Sequence, residues 1–376
     1  MVGGGIGAFI GAVHRMAAGL DNEIELVCGA FSSDPDRSRQ SGEMLYLPSN
    51  RVYPDYRTMI EEEKKLPEGE RMDFVSIVTP NHVHFGPASM ALENGFHVVL
   101  DKPMTLNLQE ARDLKAIAEK SGLLFCLTHN YTGYPMVKQA RDMIKAGKLG
   151  KIRKVVVEYP QGWLNVLLEA TGNKQAEWRT DPARSGAAGC IGDIGTHAFN
   201  MAEYMTGLKV TEICADLTIF VEGRKLEDDA NLLLRFDNGA KGVLHSSQIS
   251  VGEENNFNIR VYGEVGGLWW HQMEPNTLEY TQPGQPKQLL RTGMSISDAS
   301  QQNTRLPAGH PEGYIEAFAN VYRNFAKTLR SRLKGEEPDP GYLDFPGLED
   351  GLRGMQFIDT VIKSDQSQEK WTKMIE

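Results

Sequence analysis

The sequence predicts an α/β protein in two parts: a parallel sheet flanked by helices, then a mostly antiparallel sheet with fewer helices. Three observations carry this prediction. A glycine-rich turn at the start runs directly into a helical pattern. Short apolar runs then alternate with helical segments, the rhythm of strand–helix–strand units. From about Lys151 the chain favours strands, two of them joined by Asp237-Asn238-Gly239, a strong hairpin signal.

The chain has 376 residues, enough for two domains or one large one, and its 40% hydrophobic content suffices for substantial cores. The net charge of -10 argues against nucleic acid or an anionic membrane surface as a partner. A local basic pocket for a phosphate remains open. Cys28, Cys126, Cys190 and Cys214 show no CxxC spacing and read as buried, reduced thiols. No basic region followed by an apolar one opens the chain, and no run reaches the ~18 apolar residues of a membrane helix. A cytoplasmic protein is the expectation.

In chain order, Met1 and Val2 alone precede the first glycines, where a strand usually has about five residues. A trimmed chain, a misplaced start and a very short strand all stand open. Gly3-x-Gly5-x-x-Ala8 then fits a dinucleotide fingerprint and leads into a helix from Phe9 to Ala18. Such a turn lets the backbone approach a pyrophosphate and aims a helix N-terminus at its charge. Gly3, Gly5, Ile6 and Ala8 are the cofactor candidates here.

A second strand, Ile24 to Ala30, completes the unit. After it, where an acidic residue would bind ribose hydroxyls, stand Ser32, Ser33 and, further on, Arg37. Those groups can accept a 2′-phosphate, which leaves NAD and NADP both open. The plainer alternative is a solvated turn in which Asp34-Pro35 starts a helix.

The apolar run Asp73 to Thr79 reads as a buried parallel strand entering Pro80-Asn81-His82-Val83-His84. A helix from Phe85 to Asn94 and a strand from His97 to Leu100 follow, delivering Asp101-Lys102-Pro103. Ligands of doubly wound sheets sit at the carboxyl ends of the strands, so Lys102 stands where chemistry is expected. A helix from Leu108 to Ser121 and a strand from Leu123 to His129 end this part. The first domain is therefore placed over 1–128 and the second over 129–376, with a last helix able to pack back on the first.

In the second part, strands are expected over Ile152–Tyr159, Val210–Val221, Ala230–Phe236, Lys241–Ile249 and Asn258–Tyr262. Helices are expected near Thr196–Thr206 and Tyr314–Leu329, and Thr281–Gly309 reads as a long polar loop. Gly192-Asp193-Ile194-Gly195-Thr196-His197 carries the clearest chemistry. On a helix, a carboxylate and an imidazole four apart share a face, and histidine exchanges protons near neutral pH. The bland alternative is a capped helix start with a buried histidine.

Together, the Gly3–Ala8 turn, Thr79-Pro80-Asn81-x-x-His84, Asp101-Lys102-Pro103 and Gly192-Asp193-x-Gly195-x-His197 resemble the Gfo/Idh/MocA family across nearly the whole chain. Asp101 stands where that family usually has Glu. The resemblance implies a Rossmann dinucleotide-binding domain and a C-terminal α+β domain with a large open, mostly antiparallel sheet. It further implies a homo-oligomer, dimer or tetramer, through that sheet.

It also implies roles. Thr79, Pro80, Asn81, His84, Asp101 and Lys102 would line the cofactor site. Lys102 would contact the nicotinamide region and the substrate hydroxyl, His197 would be the general base, and Asp193 would orient the substrate. Tyr131, Thr196, Trp163, Arg179 and His310 are substrate-binding candidates, with Trp178, Asn200 and His245 behind them. For each of these, ordinary packing is the alternative. The expectation is an interdomain cleft in which Lys102, Asp193 and His197 surround one hydroxyl.

No His/Cys/Asp spacing suggests a metal. The implied activity is NAD(P)-dependent hydride transfer to or from a secondary hydroxyl of a sugar, sugar derivative or cyclitol. The alternative is a redox-assisted glycoside hydrolase or lyase with recycled NAD.

Overall fold

Val2 pairs in parallel with Ile77, and Gly3 with Val78, so the first strand ends as the glycine turn begins. A computed structural model describes residues 1–294 and 296–376. In chain order its first elements are β1 (Val2–Gly3), α1 (Phe9–Gly19), α2 (Pro35–Met44), α3 (Tyr56–Glu63), β2 (Phe74–Val78), α4 (Phe85–Glu93), β3 (His97–Leu100), α5 (Leu108–Ser121) and β4 (Phe125–Leu127). There follow α6 (Pro135–Lys145), β5 (Ile152–Pro160), α7 (Lys174–Arg179), α8 (Pro182–Ser185), α9 (Thr196–Thr206), β6 (Val210–Thr218), β7 (Asp229–Phe236), β8 (Lys241–Ser247) and β9 (Asn258–Gly263). The remainder is β10 (Gly267–His271), β11 (Thr277–Thr281), β12 (Gln288–Arg291), α10 (Asp298–Gln302), α11 (Tyr314–Leu333), α12 (Leu348–Asp365) and β13 (Thr372–Lys373).

The chain forms two units, Met1–Thr128 with Phe318–Leu352, and His129–Ala317 with Arg353–Glu376. The segment that rejoins the first unit therefore contains most of α11, while most of α12 belongs to the second.

The first unit holds a parallel sheet in the order β1-β2-β3-β4. The expected strand Ile24–Ala30 is not a ladder: only Gly29 and Ala30 make bridges, to Val52 and Val2. With β1 two residues long, residues 24–27 run without a strand beside them. Asp34 caps α2 by accepting from Asp36 and Arg37, with Pro35 at its first position. Asn107 caps α5, which stops at Gly122 in the left-handed region (φ 66°). From α11, Phe325 packs edge-on against Phe74 of β2, and Tyr322 meets Ser76 of the same strand at 2.8 Å.

The second unit holds nine strands in the order β12-β11-β10-β9-β5-β8-β7-β6-β13. Every pairing is antiparallel except β5 with β8. Along β7, Ala230, Leu232 and Leu234 are buried while Leu233 between them is exposed, the alternation of a one-sided sheet. Thr281–Gly309 is not one long loop, since it contains β12 and α10; Ser295 within it lies outside the described residues. β10 to β12, not among the strands named from the sequence, pair as antiparallel neighbours. Among the described residues, no helix is long and apolar enough to cross a membrane.

Candidate active site

In the turn after β1 the glycines are required by backbone conformation or by space. Gly3, Gly4 and Gly7 have φ of 79°, 73° and 79°. A Cβ on Gly5 would stand 2.6 Å from Ser41 Oγ and 2.8 Å from the Phe31 carbonyl. A Cβ on Gly11, in α1, would stand 2.2 Å from Gly4 Cα, so the helix lies directly on the turn. Ser41 accepts from the Ile6 N–H at 3.1 Å, and Arg37 donates to the Ile6 carbonyl at 2.8 Å. Ala8 precedes α1 and no side chain caps the helix, so its first N–H groups are left for a ligand.

At the carboxyl end of β2, the Thr79 hydroxyl is buried without a hydrogen-bond partner among the described residues. It belongs to the side chain that a Cβ on Gly3 would strike. A crowded glycine turn, an uncapped helix and an orphaned hydroxyl fit a dinucleotide. Ser33 is exposed beside α2, and the Ser32 hydroxyl accepts from Asp34. Arg37 is committed to the turn through Ile6, which weakens the expectation that it reads a 2′-phosphate.

The ends of β2 and β3 are tied together. His84 is fully buried, with Nδ1 2.8 Å from the Pro103 carbonyl and Nε2 2.8 Å from that of Thr79. Burial lowers its pKa, opposed by Asp101 and the carbonyls. The Lys102-Pro103 bond is cis. Asp101 accepts from the Lys102 N–H and from the Thr128 hydroxyl, both at 2.9 Å, with His14 Nε2 at 3.7 Å. Burial alone would raise the Asp101 carboxyl, yet His14, Lys102 and His84 hold it well below the usual range. Asn81 is buried in the turn after Pro80, and Lys102 is partly buried.

In the second unit, Asp193 lies in a π turn, Ile191–Gly195, not on the regular helix the spacing suggested; α9 begins at Thr196. A Cβ on Gly189 would stand 2.2 Å from the Glu227 carbonyl, so the entry to this turn is also a close backbone crossing. π turns are rare and concentrate at functional sites. Asp193 Oδ2 accepts from Gln248 at 2.9 Å and lies 3.3 Å from Arg179 Nε. The Arg179 guanidinium stands over Trp178 at 4.3 Å and Trp163 at 6.0 Å.

His197 Nδ1 is 3.4 Å from His129 Nδ1, and the Tyr131 ring meets His197 edge-on at 4.8 Å. The Tyr131 and Tyr159 hydroxyls are hydrogen-bonded. Asn255 donates to Tyr131 at 3.2 Å and accepts from Tyr159 and Gln161, each at 2.7 Å. Gln161 accepts from Trp163 at 3.1 Å. A continuous chain thus runs from Asp193 through Arg179, Trp163, Gln161, Asn255 and Tyr131 to His197. Burial pushes the Tyr131 phenol well up, so it stays protonated.

Other candidates fall outside this chain of contacts. Thr196 is buried and its hydroxyl donates to the Gly192 carbonyl at 3.1 Å. His310 is exposed, and its ring meets the Pro307 carbonyl of its own turn. His245 lies 3.5 Å from Asp229 on the sheet, and Asn200 is buried in α9. His129, Tyr159, Gln161, Gln248 and Asn255 were not singled out by the sequence. His129 alone offered a signal, as a titratable residue just past a parallel strand. Among the described residues, no group of three or more His, Cys, Asp or Glu is placed to hold a metal.

Two family models match: an oxidoreductase family with an NAD-binding Rossmann fold over residues 1–129, and a GFO/IDH/MocA C-terminal domain over residues 137–269. The chain belongs to the Gfo/Idh/MocA oxidoreductase family. Its first domain is the family's NAD-binding Rossmann domain, and β5 to β9 of the nine-stranded sheet lie within the residues that match the family's C-terminal domain.

The chain is similar to a Bacillus subtilis protein named uncharacterized oxidoreductase YfiI, with 35% identity covering 99% of this chain and 95% of that one. An inositol dehydrogenase homolog from Azotobacter vinelandii, solved with NAD+, has 36% identity and a TM-score of 0.94, covering 99% of this chain and 96% of that one. The same homolog was also solved with NADH and myo-inositol. An oxidoreductase from Sinorhizobium meliloti has 46% identity and a TM-score of 0.90, covering 99% and 98%.

Proposed function

We propose that this oxidoreductase moves a hydride between NAD and a secondary hydroxyl of a sugar, sugar derivative or cyclitol. The observation that carries this reading is the second unit's wall, where Asp193, held by Arg179 and Gln248, and His197 share one hydrogen-bonded and aromatic surface. Such a wall suits a polyhydroxylated ring, with carboxylate and amide groups reading hydroxyls and Trp163 and Trp178 offering faces. The myo-inositol named with the Azotobacter vinelandii homolog supports the same substrate class.

In this reading His197 takes the hydroxyl proton. Lys102 stabilises the negative charge that develops on the oxygen. Asp193 orients the ring. NAD, when bound, supplies the hydride acceptor, and the protein supplies alignment. Gly3, Gly5, Ile6, Ala8, Thr79 and Asn81 would hold it. We further place the protein in the cytoplasm, in keeping with four unpaired cysteines. The exposed side chains Leu233, Tyr262 and Trp269 on the second sheet support a homo-oligomer through that sheet.

A screen of sugars, polyols and cyclitols with NAD and NADP, followed by nicotinamide absorbance, tests the reading. On a confirmed substrate, His197→Ala and Lys102→Ala should each lower kcat by about 10²–10⁴. Full activity in both variants refutes the assignment. Cleavage of a glycosidic bond without net NADH would instead favour redox-assisted hydrolysis.

A further inference from the structure

The pair of buried imidazoles reaches beyond the general base itself. His129 and His197 are 2% and 7% exposed, their rings cross at 80°, and their Nδ1 atoms stand 3.4 Å apart. Two such nitrogens can share one proton only: two N–H groups would clash and two lone pairs would repel. If His197 is the base, a reading this inference rests on, its other ring nitrogen, Nε2, must carry the lone pair. Its Nδ1 must then carry the proton and donate.

We propose that His129 is a positioning residue that accepts the His197 Nδ1–H, fixing the base in the tautomer with Nε2 unprotonated. His129 is neutral in this role, with its own proton on Nε2. When His197 takes the substrate proton at Nε2, both of its nitrogens become donors, and the His129 Nδ1 lone pair still accepts one of them. The partner must therefore stay neutral throughout. Tyr131, packed edge-on against His197, and Tyr159, which faces it at 6.3 Å, supply neutral surroundings that hold the ring plane.

The test is the nitrogen-15 spectrum of the imidazoles in histidine-labelled protein without substrate, His197 being assigned by its loss in His197→Ala. At a pH where the ring is neutral, the wild type should show His197 protonated at Nδ1 and bare at Nε2. Finding the opposite tautomer in the wild type overturns the proposal, and this needs no variant to fold. In His129→Leu the signal should move toward the Nε2-protonated form, and kcat should fall about ten- to a hundredfold with KM little changed. His129→Asn, whose Oδ1 can stand where Nδ1 stood, should restore most of both. A His129→Leu protein with the wild-type tautomer would also sink the idea. The spectrum is independent of turnover, so a silent substrate screen counts against the proposed function alone.

Discussion

Glu227 accepts the backbone N–H of Ile191 at 3.0 Å, at the first residue of the turn that carries Asp193. The same oxygen accepts the Gly189 N–H at 2.7 Å. One buried carboxyl thus secures the entry to the turn. Burial raises it to about 7 from the ordinary 4.5, against the lowering effect of those N–H groups.

The sign of the pH effect follows. Between about 4.5 and 7 the folded chain keeps a proton on Glu227 that the unfolded chain releases. Its contribution to stability is full below 4.5 and declines as pH rises through 7. The expected loss is on the order of 3 kcal/mol. Urea unfolding at pH 5 and pH 8 should show this decline in the wild type and its absence in Glu227→Gln. Equal slopes in the two proteins would contradict it.

Arg179 holds Asp193 while its guanidinium stands over the rings of Trp178 and Trp163, a planar role that lysine does not reproduce. Arg179→Lys should raise the substrate KM about tenfold, a loss of about 1.4 kcal/mol. The NAD dissociation constant should be unchanged. Steady-state kinetics with a cofactor titration separates the two, and unaltered KM would remove Arg179 from substrate positioning.

Gly11 and Gly19 sit on the same helix in opposite settings. A Cβ on Gly11 meets the Gly4 backbone, whereas one on Gly19 meets nothing within 4 Å. Gly11→Ala should lift α1 from the turn and cost about 1–3 kcal/mol. NAD affinity should fall at least about tenfold with it. Gly19→Ala should stay within about 1 kcal/mol of the wild type. Calorimetric titration of NAD and thermal unfolding measure both, and wild-type binding by Gly11→Ala would refute the close packing.

Arg37 pins the turn by donating to the Ile6 carbonyl. Losing one such bond costs about 0.5–1.5 kcal/mol. Arg37→Ala should therefore weaken NAD and NADP together, by about two- to tenfold. An effect confined to NADP would show instead that Arg37 reads the 2′-phosphate.

Much of the fold was legible because its signals are local. The helix Leu108–Ser121 and the strand His97–Leu100 carry periodicity, caps and apolar runs within themselves. The segment Ile24–Ala30 has the composition of a strand but lacks a neighbouring strand along most of its length, and no window of sequence reveals that. The setting of His310, against the carbonyl of Pro307 in its own turn, is equally invisible in the sequence. A histidine before a helix shows its residue type, not where the turn points it.

The sequence by itself determined the two-part α/β architecture, the glycine turn with its helix, and the placing of Lys102, Asp193 and His197 in motifs. These depend on near neighbours, where spacing and side-chain chemistry decide the backbone. Tertiary structure alone decided that Asp193 sits in a π turn secured by Glu227, that Arg179 and Gln248 hold it, and that His197 faces His129. Asn255 and Tyr131 are 124 positions apart and hydrogen-bonded at 3.2 Å. Contacts of that kind arise when elements pack, and burial then compels each polar group to find a partner.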